Sequence, residues 1–74
     1  MFLSDCKRGD QVEIVEITDN WGREQAIRFG IAKGSKVICQ AVIPNGPVVI
    51  KKGQGTIAIG YPVASKIIVK RRWR

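Results

Sequence analysis

Hydrophobic and polar residues alternate along most of this chain, and glycine or proline interrupts the alternation at short intervals. That pattern predicts a small all-β domain. The first alternating run is QVEIVEI, Gln11–Ile17. Val12 and Ile14 share one face, Val15 and Ile17 the next, so the phase slips between Ile14 and Val15. A β-bulge produces such a slip, and small barrels use bulges to bend strands round corners. Ser35–Ile43 alternates next, with Val37, Cys39, Ala41 and Ile43 on one face. Pro44–Pro47 (PNGP) is a tight turn, and Val48–Lys52 pairs back as the second arm of a hairpin. Gly53–Gly55 is a further turn, and TIAIG follows with Ile57 and Ile59 on one face. YPVAS is too short for a full element and reads as one 3₁₀ turn. The last strand is Lys66–Lys70, with Ile67 and Val69 inward.

Between the first two strands the period changes. Asp19 or Asn20 suits a helix N-cap. Ala26, Ile27 and Ile31 fall near one face at helical spacing, while Arg23, Glu24 and Arg28 face away. Gly30 suits the left-handed residue that ends a helix. The spacing predicts one short helix over roughly Arg23–Phe29. Five short strands and one inserted helix cannot bury an open sheet from both sides, but they can curl into a barrel.

The chain has 74 residues, the size of one domain with a small core. The start, MFLSDCKRGDQ, has no basic stretch followed by an apolar run, so it does not read as a secretory signal. No run approaches the ~18 apolar residues of a spanning helix. Two cysteines, Cys6 and Cys39, make no disulfide framework and read as reduced thiols. Cys39 alternates with Val37 and Ala41 as a small buried hydrophobe, and Cys6 is expected to pack under the first strand.

Charge adds a direction. There are thirteen bases and six acids, giving a net charge of +7. All the acids fall at or before Glu24, and none follows. Such asymmetry points to an anionic partner: nucleic acid, a membrane surface or an acidic protein face.

Candidate chemistry is sparse. Histidine is absent, which removes the commonest general base and metal ligand. Glu13 and Glu16 sit three apart on a strand and face opposite sides unless the bulge realigns them, and neither is placed for acid–base work. KKGQGT offers glycines but leads into a strand rather than a helix, so it reads as a hairpin turn and not a phosphate loop. Asp5, Cys6 and Asp10 lie close in sequence without the spacing of a metal site. No catalytic residue, cofactor site or metal site is assigned, and a non-enzymatic protein is expected.

The order of these pieces resembles the FeoA family. The residues that carry the resemblance are Gly9 before the first strand, GIAKGSKV (Gly30–Val37), NGPVVI, and above all IAIGYPVASKIIV (Ile57–Val69). It covers essentially residues 3–69. It implies an SH3-like barrel with an inserted short helix, an accessory role in bacterial ferrous iron uptake, and a partner, the membrane transporter FeoB with its cytosolic GTPase domain. It also implies a cytoplasmic protein peripheral to the inner face of the membrane. The similar domain of iron-dependent repressors shares the fold, but on the length of this sequence a repressor with DNA-binding helices is not expected.

On this reading the barrel spans residues 1–69 and a basic tail spans 70–74. The working surface is expected at Trp21, Arg23 and Arg28 on the helix and its loop, with Lys70, Arg71, Arg72, Trp73 and Arg74 of the tail. Each tail cation contributes roughly 1 kcal/mol at an anionic leaflet, and Trp73 suits the headgroup region. Deleting Arg71–Arg74 is expected to weaken association with the transporter and leave folding intact. The alternative is a small KOW-type RNA-binding barrel. It is less favoured because no sheet face alternates basic and aromatic residues. A metal-sensing module is a third reading, without a legible ligand set. An exposed edge strand would also offer pairing with a second copy.

Overall fold

In a computed structural model of the chain, residues 1–71 are described, save the side chain of Trp21. The order is a 3₁₀ turn (Leu3–Asp5), β1 (Gln11–Ile17), α1 (Asn20–Arg28), β2 (Lys36–Val42), β3 (Val48–Lys52), β4 (Gly55–Ile59), α2 (Tyr61–Ala64) and β5 (Ile67–Arg71). All neighbouring strands are antiparallel, in the order β4-β3-β2-β1-β5. The all-β, SH3-like architecture is as expected.

The bulge in β1 lies where the phase slips, with the β1–β5 register shifting between Ile14 and Glu16. A second irregularity, not legible in the sequence, lies in β2 between Cys39 and Ala41. It corrects the alternation expected there. Val37 and Cys39 are buried, but the inward phase is lost after Cys39 and Ile43 stands exposed. The side chains of Leu3, Ile14, Ile31, Ile50 and Ile67, among others, fill one core. Cys6 and Cys39 are buried free thiols within it.

Three further expectations are corrected. First, α1 begins at Asn20 and not Arg23, because Asp19 Oδ2 accepts the Gly22 amide at 2.7 Å and caps the helix at once. Second, the helical period does not reach Ile31. The helix ends at Arg28, Gly30 takes φ 77°, and Ile31 enters the core from the turn beyond. Ala26 is buried as expected, but Ile27 is 61% exposed. Third, YPVA forms a short α-helix with proline in its first turn, and β5 runs on to Arg71. Lys70 pairs across from Glu13 and Arg71 across from Val12, so both belong to the sheet.

The two edges of the sheet differ. Along β5, the Val69 amide donates to the Met1 carbonyl at 2.7 Å, and Phe2 bridges Ile68, so the N-terminal residues cover that edge. Along β4, no backbone partner is present on the outer side among the described residues. Here the barrel stays open, and α1 and α2 flank the gap. The helices meet at buried Gly22, where a Cβ would lie 3.3 Å from both Asp19 Oδ2 and Val63 Cγ1.

Candidate functional site

The gap beside β4 is an apolar cleft of about 230 Å³. Gln25, Ala26 and Phe29 of α1 and its C-cap form one wall. Ala58–Gly60 at the end of β4 form the opposite wall, and Pro62 and Val63 of α2 close one side. Ile31 and Ile67, both fully buried, lie at its base. Phe29 stands at the mouth, 55% exposed. An aromatic residue left half in water beside an apolar cleft is a ready anchor for a partner.

Sequence reasoning missed this cleft. It left Phe29 as the last residue of the expected helix, without a role, and read YPVAS as a turn. The available signal was the short YPVA segment, which separates β4 from β5, the two edge strands of the sheet.

The residues expected to form the working surface are not all in one place. Arg23 packs back on β1. Its guanidinium donates to the Ile17 carbonyl at 2.8 Å, to Glu16 Oε2 at 3.3 Å and to Asn20 Oδ1 at 3.2 Å. It borders a second depression, lined also by Ile27 and Lys33. Arg28 is exposed in the last turn of α1, a favourable position for a cation. It adjoins Phe29, and beyond them Lys52 Nζ lies 3.8 Å from where a Cβ on Gly30 would be. Cations therefore stand near the mouth of the cleft.

Lys70 and Arg71 lie on the far side of the sheet order, on β5. Arg71 pairs with Asp10 Oδ2 at 3.5 Å. Trp21 lies in α1, but its side chain is outside the described residues, as are Arg72, Trp73 and Arg74. A truncation that tests the tail without breaking β5 therefore begins at Arg72.

Burial is the first cause that pushes the Cys6 thiol up to about 12, with the nearby Cys39 and Asp10 adding to it. Burial likewise raises Cys39. Both thiols are held protonated and serve the core. Among the described residues, no group of three or more Cys, Asp or Glu side chains is arranged to hold a metal ion.

A family model described as the FeoA domain matches residues 1–71. The chain belongs to the FeoA family. The crystal structure of an iron uptake regulatory protein (FeoA) is similar at 26% identity and a TM-score of 0.87, covering 96% of each chain. A FeoA-like protein from Clostridium acetobutylicum has 16% identity and a TM-score of 0.86, over 100% of this chain and 88% of that one. A manganese-dependent transcriptional repressor has 23% identity and a TM-score of 0.86, where 95% of this chain corresponds to 40% of the repressor. These last two show the fold alone. No curated protein sequence matches the chain. Membership of the FeoA family supports a role in a ferrous iron transport system. No helix among the described residues is long and apolar enough to cross a membrane.

Proposed function

We propose that this FeoA-family domain is a non-catalytic binding module of bacterial ferrous iron uptake, acting on the membrane GTPase transporter FeoB from the cytoplasmic face. One observation carries the reading: an apolar cleft with a half-exposed aromatic at its mouth and cations beside it. The apolar walls supply affinity when a partner covers them. Arg28 and Lys52 steer an acidic surface toward them and raise the association rate. The tail cations add weak attraction to an anionic leaflet, which concentrates the module where its partner is embedded.

The test is a pull-down of tagged protein from detergent-solubilised bacterial membranes, with and without nuclease, read by mass spectrometry. Recovery of FeoB in both conditions supports the reading. Recovery of RNA and ribosomal proteins, lost with nuclease, overturns it in favour of an RNA-binding barrel.

A further inference from the structure

The two sheet edges pose a question that the cleft alone does not answer. Edge strands expose unpaired amides and carbonyls, and proteins normally blunt them with charge, proline, a bulge or a cover. The β5 edge has its cover in Met1 and Phe2 and carries Lys70 and Arg71. Among the described residues, the β4 edge has none of these devices. Residues 53–60, GQGTIAIG, contain no charge and no proline, and β3–β4 pairing runs from Lys52–Gly55 to Val48–Ile59 without a register break.

Which groups are free follows from the turn. Gly53 and Gln54 form a two-residue hairpin loop, with Gly53 at φ 60° as its first residue. Such a loop closes on a hydrogen-bonded pair, Lys52–Gly55. By alternation, Ile50–Ile57 and Val48–Ile59 are also hydrogen-bonded pairs. Thr56 and Ala58 therefore turn their N–H and C=O groups outward. Both are exposed, neither has another backbone partner among the described residues, and Ala58 borders the apolar cleft. A row of free main-chain groups beside an apolar trough is the arrangement that receives an added strand: backbone bonds hold it, and alternate side chains fill the trough.

The surrounding charge identifies the kind of strand. No acid follows Glu24. Lys51 is exposed and lies across from Thr56, Lys52 reaches Gly30, and Arg28 adjoins Phe29. Arg28, Lys51 and Lys52 make no ion pair among the described residues. The acids are mostly engaged elsewhere. Asp5 accepts the Phe2 amide, Asp10 holds Arg71, Glu16 holds Arg23 and Asp19 caps α1. Glu13 lies across from Lys36 and Lys70, which leaves Glu24 as the acid near the cleft wall at Gln25. A second copy of this chain would bring the same uncharged edge with the same cations, so charge disfavours it.

We propose that the free edge of β4 takes an extended, acidic segment of a partner protein as a sixth strand, its apolar side chains seated in the cleft between β4 and α1. The proposal deepens the binding-module reading and rests on it.

The test uses the full chain, ¹⁵N-labelled, and a probe: an acetylated octapeptide alternating glutamate and valine. Hydrogen exchange at the Thr56 and Ala58 amides is followed with and without peptide. Protection of both amides by about tenfold or more, weakened by salt, is expected. The same peptide with lysine for glutamate is expected to give none. Thr56→Pro removes one outward donor at a position where an edge strand tolerates proline. It should weaken binding at least about fivefold. Ala58→Glu, which keeps the backbone and adds like charge, should weaken it as well. Shifts confined to the cleft side chains, with both amides still exchanging freely, overturn the proposal. So does equal binding of the lysine peptide, or dimerisation through β4 in sedimentation. A parallel assay on FeoB-containing vesicles separates the two readings. If the unaltered chain binds and Thr56→Pro binds equally well, strand addition is wrong and the binding module stands. If the unaltered chain does not bind, the binding module itself fails.

Discussion

Arg23 is exposed enough to be taken for a partner-binding cation, yet its bonds make it a staple between α1 and β1, and the two roles predict different things. The guanidinium donates to the Ile17 carbonyl at 2.8 Å, at the end of β1. A hydrogen bond from a charged group is worth about 1.5–3 kcal/mol when sheltered. Arg23's side chain is 47% exposed, so about 1 kcal/mol is the appropriate figure here. The contacts to Glu16 at 3.3 Å and Asn20 at 3.2 Å are at the surface and add about 0.5 kcal/mol together. Arg23→Ala should therefore destabilise the fold by about 1.5 kcal/mol. For a domain of this size that lowers Tm by about 6–12 °C. Glu16→Gln should cost no more than about 0.5 kcal/mol, because the carbonyl bond survives. Raising salt should erase the Glu16 effect and leave most of the Arg23 effect. Urea titrations of the two variants, with Tm as a second reading, make the comparison. If Arg23→Ala leaves stability unchanged, or if Glu16→Gln matches it, the staple is not what holds α1 to β1.

Three more predictions follow from the same packing. Asp19→Ala removes the cap on the Gly22 amide and should destabilise the fold by about 1 kcal/mol in urea unfolding, with Asp19→Asn restoring most of it. Phe29→Ala should weaken association with FeoB-containing vesicles by at least tenfold while the folded circular dichroism spectrum persists, because more than half of the residue is exposed before binding. Burial raises Cys6 above its ordinary value of 9.0 to about 12. The folded state therefore keeps a proton that the unfolded chain releases. Its contribution is fully present below about pH 9 and is lost as pH rises toward 12, so Cys6→Ala should show a shallower alkaline loss of stability than the unaltered chain.

Much of the fold was legible because the β pattern depends on local alternation. The five strands, the hairpin at Pro44–Pro47 and the bulge after Ile14 all follow from where apolar residues and turn formers fall. What escaped was set by tertiary contacts. The irregularity after Cys39 has no glycine or proline to announce it, so Ile43 was expected inside. Ile31 sits at helical spacing from Ile27, but the turn at Gly30 carries it into the core on its own path.

The candidate site was less legible still. Charge partition drew attention to the cations. The cleft, however, arises from three separate stretches around Phe29, Ala58 and Val63, which no periodicity links. Arg23 and Arg28 lie on one helix and look equivalent in sequence. Only the approach of the Ile17 carbonyl and Glu16 separates a staple from an exposed cation. Arg71 read as tail because charge hides strand character, and pairing with Val12 draws it into the sheet one residue beyond the expected end of the strand at Lys70.

The most direct test of the central claim is the binding of fluorescently labelled chain to proteoliposomes with purified FeoB, against protein-free liposomes of the same anionic lipid composition. The account predicts saturable binding that requires FeoB, with only weak, salt-sensitive attachment to the empty liposomes. Equal binding to both would contradict it and leave the cations as a membrane-surface device alone.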